Sequence, residues 1–564
     1  MRPLVVGLLL CLIVQAGSGP AMAAASGTGA PDAKAKPPGK TAPTPAESIA
    51  RLAGVDGAAR FDAILVLVGS RDPETDRLLR AAPDTPPFRE SAVARAALEF
   101  VRMKRRKAGP GAARKTTPVG TNVILVSLDA VRADHLGCYG YHRRTSPAID
   151  AMAMQGAVFD RAVSPSSWTL PVHMSIFTSL YPSFHGVDRS GIRWNVSLPA
   201  TEKTMAEYLR ESGYTSATLM GSPFLVAKWG FGRGFDLYRQ YPTDARAQSD
   251  RAALWLQWHA HQVDRGLTRS SFFLFLHFMD AHVPYHVPAE LRKKFPVEAS
   301  SGDGKAPGIS PCVPHRSPRF SAELDDARAQ YDAEINYIDT HLGRLLKALK
   351  DLGWSESTLF ILTADHGEEF GDHGETKHKA TLYEEVLRVP LIVSWPRSIA
   401  PGQRIGVPVT LLDILPTVLE ATGHEAPGRL QGISLLPFLR RPGAGAPGTL
   451  PTARDLFAEL GPLGLEWEMP FHRKAVSSGN QKLIVTYAKE GGVTKELYDL
   501  AADPRERCNV YAARQADPGV RGLEERLDQF IRQGVEYRAA NASEEGFEAN
   551  EELLEQLRSL GYIK

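Results

Sequence analysis

Three apolar runs in this chain end in side chains that bind cations. NVILVSL (122–128) leads into Asp129, TLFILTA (358–364) into Asp365 and His366, and FFLFL (272–276) into His277, then Asp280 and His282. Carboxylate oxygens and imidazole nitrogens make a donor set suited to a divalent ion. Such an ion favours the alkoxide of a nearby hydroxyl, which is otherwise a poor nucleophile. The stretch SSWTLPVHMSIFTSLYPSFHGV (166–187) supplies hydroxyls, Ser166, Ser167, Thr169, Ser175, Thr178 and Ser179 among them. Pro171 suits the first turn of a helix, which is therefore expected from about Leu170. A hydroxyl at that entry faces free backbone N–H groups, a natural place for an anionic ester. Taken singly, Ser167 or Thr169 is a helix cap, and an Asp after a strand closes a turn. The coincidence of ligand types at several run ends is what points to a site.

The elements that must position these residues follow from the same runs. Near-continuous apolar segments, VPLIVSW (389–395) included, read as strands buried on both faces of a parallel sheet. Helical patterns lie between them. The clearest, Ala327 to Leu352, lines up Ile335, Ile338, Leu342, Leu345, Leu346 and Leu349 on one stripe. The expected fold class is α/β: a large, mostly parallel central sheet flanked by helices over residues 119–440. Ligands of an open sheet gather at the carboxyl ends of its strands, which would draw Asp129, Asp365, His366 and His282 together. Residues 441–540 read as a smaller C-terminal α+β subdomain, with antiparallel strands in KLIVTYAKE and KELYDL, and 541–564 as a helical tail. Upstream, 47–118 reads as a helical preface and linker, with the basic run 104–107 as solvated linker.

Composition bounds the partners. A formal net charge of +2 gives no reason to expect nucleic acid. Arg2, the apolar run Leu4 to Val14 and Ala21-Met22-Ala23 have the layout of a secretory signal peptide over 1–23, with an apolar part too short to span a bilayer. Residues 24–46, rich in Ala, Gly, Pro, Ser and Thr, read as a disordered tether. Export, to the periplasm or beyond the cell, is therefore expected, with no integral membrane span. Loss of Cys11 leaves Cys138, Cys312 and Cys508, too few for a disulfide framework or a thiolate metal site, though one bridge is allowed.

From about 120 to 540 the chain resembles the sulfatases of the alkaline phosphatase superfamily. NVILVSLDAVRADHLGCYGY resembles the family's opening strand and first metal aspartate. THLGRLLKALKDLG followed by TADHGEEFGDHG resembles the helix before the second metal pair. KATLYEEVLRVPLIV, LLDILPTVLEATG and KELYDLAADPRERCNV follow in family order. The resemblance implies that Asp129, Asp365 and His366 bind the metal, joined by Thr169, which falls where sulfatases carry the cysteine they oxidise to formylglycine. It also implies that His282 touches the ester or its leaving group, with Lys379 and His378 beside it.

The departures from the family pattern direct the chemistry. TLPVH has Thr169 for cysteine and His173 for arginine, and threonine does not become formylglycine. The Thr-x-Pro-x-His pattern instead resembles nucleotide pyrophosphatase/phosphodiesterases; lipoteichoic-acid synthases and phosphoethanolamine transferases also use a threonine. Ala130 replaces a second metal aspartate, so Mn²⁺, Zn²⁺ or Mg²⁺ suits the ligand set better than Ca²⁺. A second ion has Asp280, His282 and His378 as its candidates. The function implied is metal-dependent cleavage, or transfer, of a small-molecule or polymer-borne phosphate mono- or diester. Thr169 attacks, Lys379 offsets charge, and His282 or His378 protonates the leaving oxygen. The rivals are a sulfuric ester hydrolase without formylglycine and, given Ala130, Val172 and Ser179, a non-catalytic binding protein. The sequence sets no oligomeric state.

Overall fold

The apolar runs need burial on both faces, and in the computed structural model they form the middle of one sheet. The structure describes residues 43–105, 120–187, 197–241, 244–298, 313–314, 321–378, 380–439, 451, 454–461, 471–488 and 491–541. The strands are β1 (Asn122–Leu128), β2 (Ala157–Phe159), β3 (Thr215–Met220), β4 (Leu237–Gln240), β5 (Phe272–Phe278), β6 (Thr358–Ala364), β7 (Leu391–Ser394) and β8 (Gln403–Ile405). They lie in the order β8-β2-β7-β6-β1-β5-β3-β4. Leu128 pairs with both Phe278 and Ala364, so β1, β5 and β6 stop at one level and the residues that follow share one edge. Every residue of these three strands is buried.

One strand departs from the expected direction. β7, the core of VPLIVSW, runs antiparallel to both β6 and β2. A parallel return needs a long crossover, usually a helix, over the sheet face. Among the described residues between β6 and β7 the only helix is Glu384–Leu387. The connection therefore stays at the carboxyl edge, and the chain re-enters the sheet from the end it left.

Upstream of the sheet lie α1 (Pro45–Ala53), α2 (Gly57–Gly69), α3 (Pro73–Ala81), α4 (Pro86–Glu90) and α5 (Ala92–Arg105). The basic run at the end of α5 is not simply solvated. Arg105 donates to the carbonyls of Leu67 (2.7 Å) and Ser70 (2.6 Å), and Lys104 donates to Gln257. Its last two residues, Arg106 and Lys107, lie outside the described residues. Asp62 of α2 accepts from Arg239 (3.0 Å) and the Tyr241 hydroxyl (2.6 Å) beside β4. Downstream come α6 (Thr169–Thr178), α7 (Ala245–Val263) and α8 (Ala322–Asp351). α7 and α8 pack together, and Ile335, Ile338, Leu342, Leu345 and Leu349 form the buried stripe of α8.

The C-terminal part is a meander of β9 (Asp455–Leu460), β10 (Phe471–Ser478), β11 (Gln481–Ala488) and β12 (Val493–Asp499), all antiparallel, with α9 (Pro518–Asn541) on it. A second core joins Val476, Leu483 and Leu497 to Leu523, Leu527 and Phe530, and to Leu180, Tyr181 and Phe184 just beyond α6. Phe530 stacks on Phe457 with ring centroids 4.0 Å apart. Pro45–Lys564 forms one compact unit. No helix among the described residues is long and apolar enough to cross a membrane. The expected signal peptide, nearly all of the expected tether and the expected tail beyond Asn541 lie outside the described residues. Cys508 is disulfide-bonded and Cys138 is a free thiol.

Candidate active site

The carboxyl ends of β1 and β6 bring two carboxylates together. Asp129 directly follows β1, and its N–H extends the ladder to the Phe278 carbonyl at 2.8 Å. Asp365 directly follows β6; its Oδ1 accepts from the backbone N–H groups of His366 (2.9 Å) and Ala130 (3.2 Å). Those bonds hold Oδ1, and Oδ2 faces the cluster. Burial works against ionisation of Asp365, but the imidazoles of His366 and then His277 hold its carboxyl well below the usual range. His366 Nδ1 donates to the Gly367 carbonyl at 3.0 Å, which turns Nε2 toward the carboxylates. Nε2 lies 3.6 Å from Asp129 Oδ1 and 3.5 Å from Asp365 Oδ2. A side chain at Gly367 would place Cβ 2.0 Å from the Glu385 carbonyl, so only glycine lets the chain turn there.

Thr169 opens α6, one residue before the predicted start. The position before it, Trp168, offers no side-chain cap, and neither Ser167 nor Thr169 caps the helix. The Thr169 hydroxyl instead points into the cluster, 3.4 Å from both Asp129 Oδ2 and His366 Nε2. Asp129, Thr169, Asp365 and His366 are all fully buried. Donors about 2.1 Å from a shared ion and in roughly tetrahedral directions stand about 3.4 Å apart. The separations of 3.4–3.6 Å match that figure and exceed those of direct charge-assisted hydrogen bonds. The residues present therefore fit a small divalent ion, and Asp129, Asp365 and His366 form a compact group that could hold one.

Other predicted residues are placed less uniformly. His282 and His378 are buried beside this group: His378 stacks on His366 at 4.2 Å and meets His282 edge-on at 4.8 Å. His378 Nδ1 bonds Glu368 Oε2 at 3.1 Å, and His282 Nδ1 donates to the Val283 carbonyl at 2.5 Å. Asp280 is turned elsewhere; its Oδ1 accepts from Ala245 N–H at the start of α7 at 2.8 Å. Burial pushes that carboxyl up to about 7. Asp280, His282 and His378 thus form no metal group among the described residues. Lys379 lies outside the described residues.

Four further residues shape the site. His173, at the position of the family arginine, donates from Nδ1 to the Thr169 carbonyl (2.8 Å) and accepts at Nε2 from the Ser127 hydroxyl (2.9 Å). Burial and the neighbouring His277 hold it neutral, with its pKa depressed to about 3. His277, near the end of β5, puts Nε2 3.5 Å from Asp129 Oδ2. Glu368 orients His378, and Arg132, held between Asp134 and Asp372, donates to the Glu368 carbonyl at 3.1 Å. The sequence signals were a lone polar residue inside an apolar strand for His277 and the acidic pair after Asp-His-Gly for Glu368.

Two carboxylates, an imidazole and a hydroxyl thus meet at the carboxyl edge of a sheet whose sequence is that of a hydrolase of the alkaline phosphatase superfamily. The sequence model of the sulfatase family matches residues 121–424, more than half of the chain, and that of the C-terminal part of N-sulphoglucosamine sulphohydrolase matches 371–533. The chain belongs to the sulfatase family. Arylsulfatase K of Xenopus laevis is 32% identical over 234 residues, which cover 40% of this chain and 40% of that protein. Human (Homo sapiens) iduronate 2-sulfatase is 24% identical over 390 residues, covering 57% of this chain and 69% of that protein. The phosphonate monoester hydrolase of Agrobacterium radiobacter has the same fold, with a TM-score of 0.57 and 22% identity over 73% of this chain and 96% of that one.

Proposed function

We propose that this protein is an exported, metal-dependent hydrolase or transferase that cleaves phosphate mono- or diesters with Thr169 as nucleophile. The observation that carries the reading is the Thr169 hydroxyl, 3.4 Å from Asp129 Oδ2 and from His366 Nε2 inside a donor set sized for an ion. Bound there, the ion supplies charge that favours the alkoxide and offsets charge on the ester. The helix and the His173 bond to its carbonyl hold the Thr169 backbone, and its hydroxyl lies between Asp129 and His366. His282 Nε2, or His378 held by Glu368, delivers a proton to the leaving oxygen, and Lys379 offsets charge on the ester, as the family resemblance implies.

Phosphorus is favoured over sulfur by the fate of the intermediate. A phosphothreonine is itself a phosphate ester, open to a second attack at phosphorus by water or an acceptor alcohol. A threonine sulfate has no second hydroxyl on the same carbon to expel the sulfate. The sulfate reading is supported by the two matching family models and by the sequence relatives, which are sulfatases. The export reading draws on the sequence and on the disulfide at Cys508, a bond kept in oxidising compartments.

The test is a panel of aryl phosphate, phosphodiester and aryl sulfate substrates, run with wild type and Thr169→Ala. Mass spectrometry of the quenched Thr169 peptide accompanies it. The expected outcome is turnover of a phosphorus ester, a phosphoryl adduct on Thr169 and no turnover by the variant. Undiminished turnover by Thr169→Ala refutes the nucleophile, faster sulfate turnover refutes the substrate class, and no turnover with the ion bound favours the binding protein.

A further inference from the structure

We propose that His277 is a direct ligand of the ion held by Asp129, Asp365 and His366, supplying the donor that Ala130 does not. The proposal rests on the reading that this site binds a divalent ion. His277 sits near the end of the central strand β5, in register with Ser127 of β1. It is fully buried, and neither ring nitrogen has a hydrogen bond among the described residues. A buried imidazole in that state needs a partner.

Its position relative to the carboxylates matches that of His366. His277 Nε2 stands 3.5 Å from Asp129 Oδ2 and 3.8 Å from Asp365 Oδ2. His366 Nε2 stands 3.6 Å from Asp129 Oδ1 and 3.5 Å from Asp365 Oδ2. Two imidazoles therefore flank the same carboxylate pair, each using a different oxygen of Asp129. All four separations are longer than the roughly 2.7–2.9 Å of a histidine–carboxylate hydrogen bond and suit ligand atoms that share a cation. The neighbouring His173 is not the donor, since both its nitrogens are engaged. It meets His277 edge-on at 4.6 Å and so limits rotation of that ring.

Ala130 shows what the imidazole replaces. Its φ of 59° is left-handed, its N–H is spent on Asp365 Oδ1, and its carbonyl accepts from the Tyr331 hydroxyl at 2.6 Å. No carboxylate projects from that position. Exchange of a carboxylate oxygen for an imidazole nitrogen moves the donor set from hard cations toward Zn²⁺ or Mn²⁺.

The experiment uses the full chain loaded with Zn²⁺. X-ray absorption at the zinc edge counts coordinated imidazoles, and calorimetry gives Zn²⁺ and Ca²⁺ affinities for wild type and His277→Gln. The expected result is two imidazoles in wild type, one in the variant, and a Zn²⁺-to-Ca²⁺ affinity ratio lowered at least tenfold. One imidazole in wild type overturns the proposal without any variant. An equal count in wild type and variant overturns it as well. A wild type that takes up no Zn²⁺ overturns both this proposal and the ion-dependent reading on which it rests, so the two failures are distinguishable.

Discussion

His373 carries a charge that should be visible in stability. The ring is buried in the loop between β6 and β7, with Nδ1 2.5 Å from Glu385 Oε1 and Nε2 3.1 Å from the Glu506 carbonyl. It also stacks on Tyr383 at 3.8 Å. A carbonyl only accepts, so Nε2 carries a proton, and the carboxylate at Nδ1 calls for a second. Burial opposes the charge, but Glu385 and then Glu506 overcome it and push the pKa from 6.5 up to about 9. The folded state therefore binds this proton more tightly than the unfolded chain. The contribution is complete below pH 6.5 and is lost as pH rises through about 9. At about 1.4 kcal/mol per unit, the shift is worth about 3 kcal/mol. Denaturant unfolding of wild type and His373→Gln, at pH 6 and pH 10, measures it. The stability gap between them should shrink by about 3 kcal/mol over that range. A gap that stays constant to within about 1 kcal/mol shows that the imidazolium is not the pin the geometry describes.

Two further outcomes follow from the same contacts. His378→Asn and Glu368→Gln should slow esters with poor leaving groups by about 10²–10⁴-fold and spare nitrophenyl esters, if His378 is the acid; equal losses on both substrate types point to ion binding or to His282 instead. Phe530→Ala removes a ring stacked on Phe457 and edge-on to Tyr181 at 5.1 Å. It should cost about 3–5 kcal/mol in denaturant unfolding, and a loss below about 1 kcal/mol means the second core is not held by this helix.

The parallel centre of the sheet was readable because a strand buried on both faces has little room for polar residues. Composition carries no sign of direction, however, and the apolar run of β7 looks like those of the parallel strands. Its reversal depends on where the chain between Asp365 and Leu387 lies, a tertiary fact. The convergence of Asp129, Thr169, Asp365 and His366 was legible from run ends and family pattern together. The role of His277 is not legible in the sequence, because one imidazole inside FFLFLHF gives no sign of the carboxylates on neighbouring strands. The helix cap failed for a related reason: a threonine at a helix entry has two possible partners, and only the fold places Asp129 within its reach.

The contact between α2 and β4 has a consequence for the margin of the sheet. Among the described residues β4 is the terminal strand on its side, and a terminal strand offers an unpaired ladder to any extended chain that meets it. Asp62 ties Arg239 and Tyr241 to α2, which rests against that strand. At the opposite margin β8 is three residues long and carries exposed Arg404, a charge of the kind that deters pairing. α2 thus acts as a sheath along one selvedge of the fold, and without it the outer ladder of β4 would be open to pairing with another extended chain.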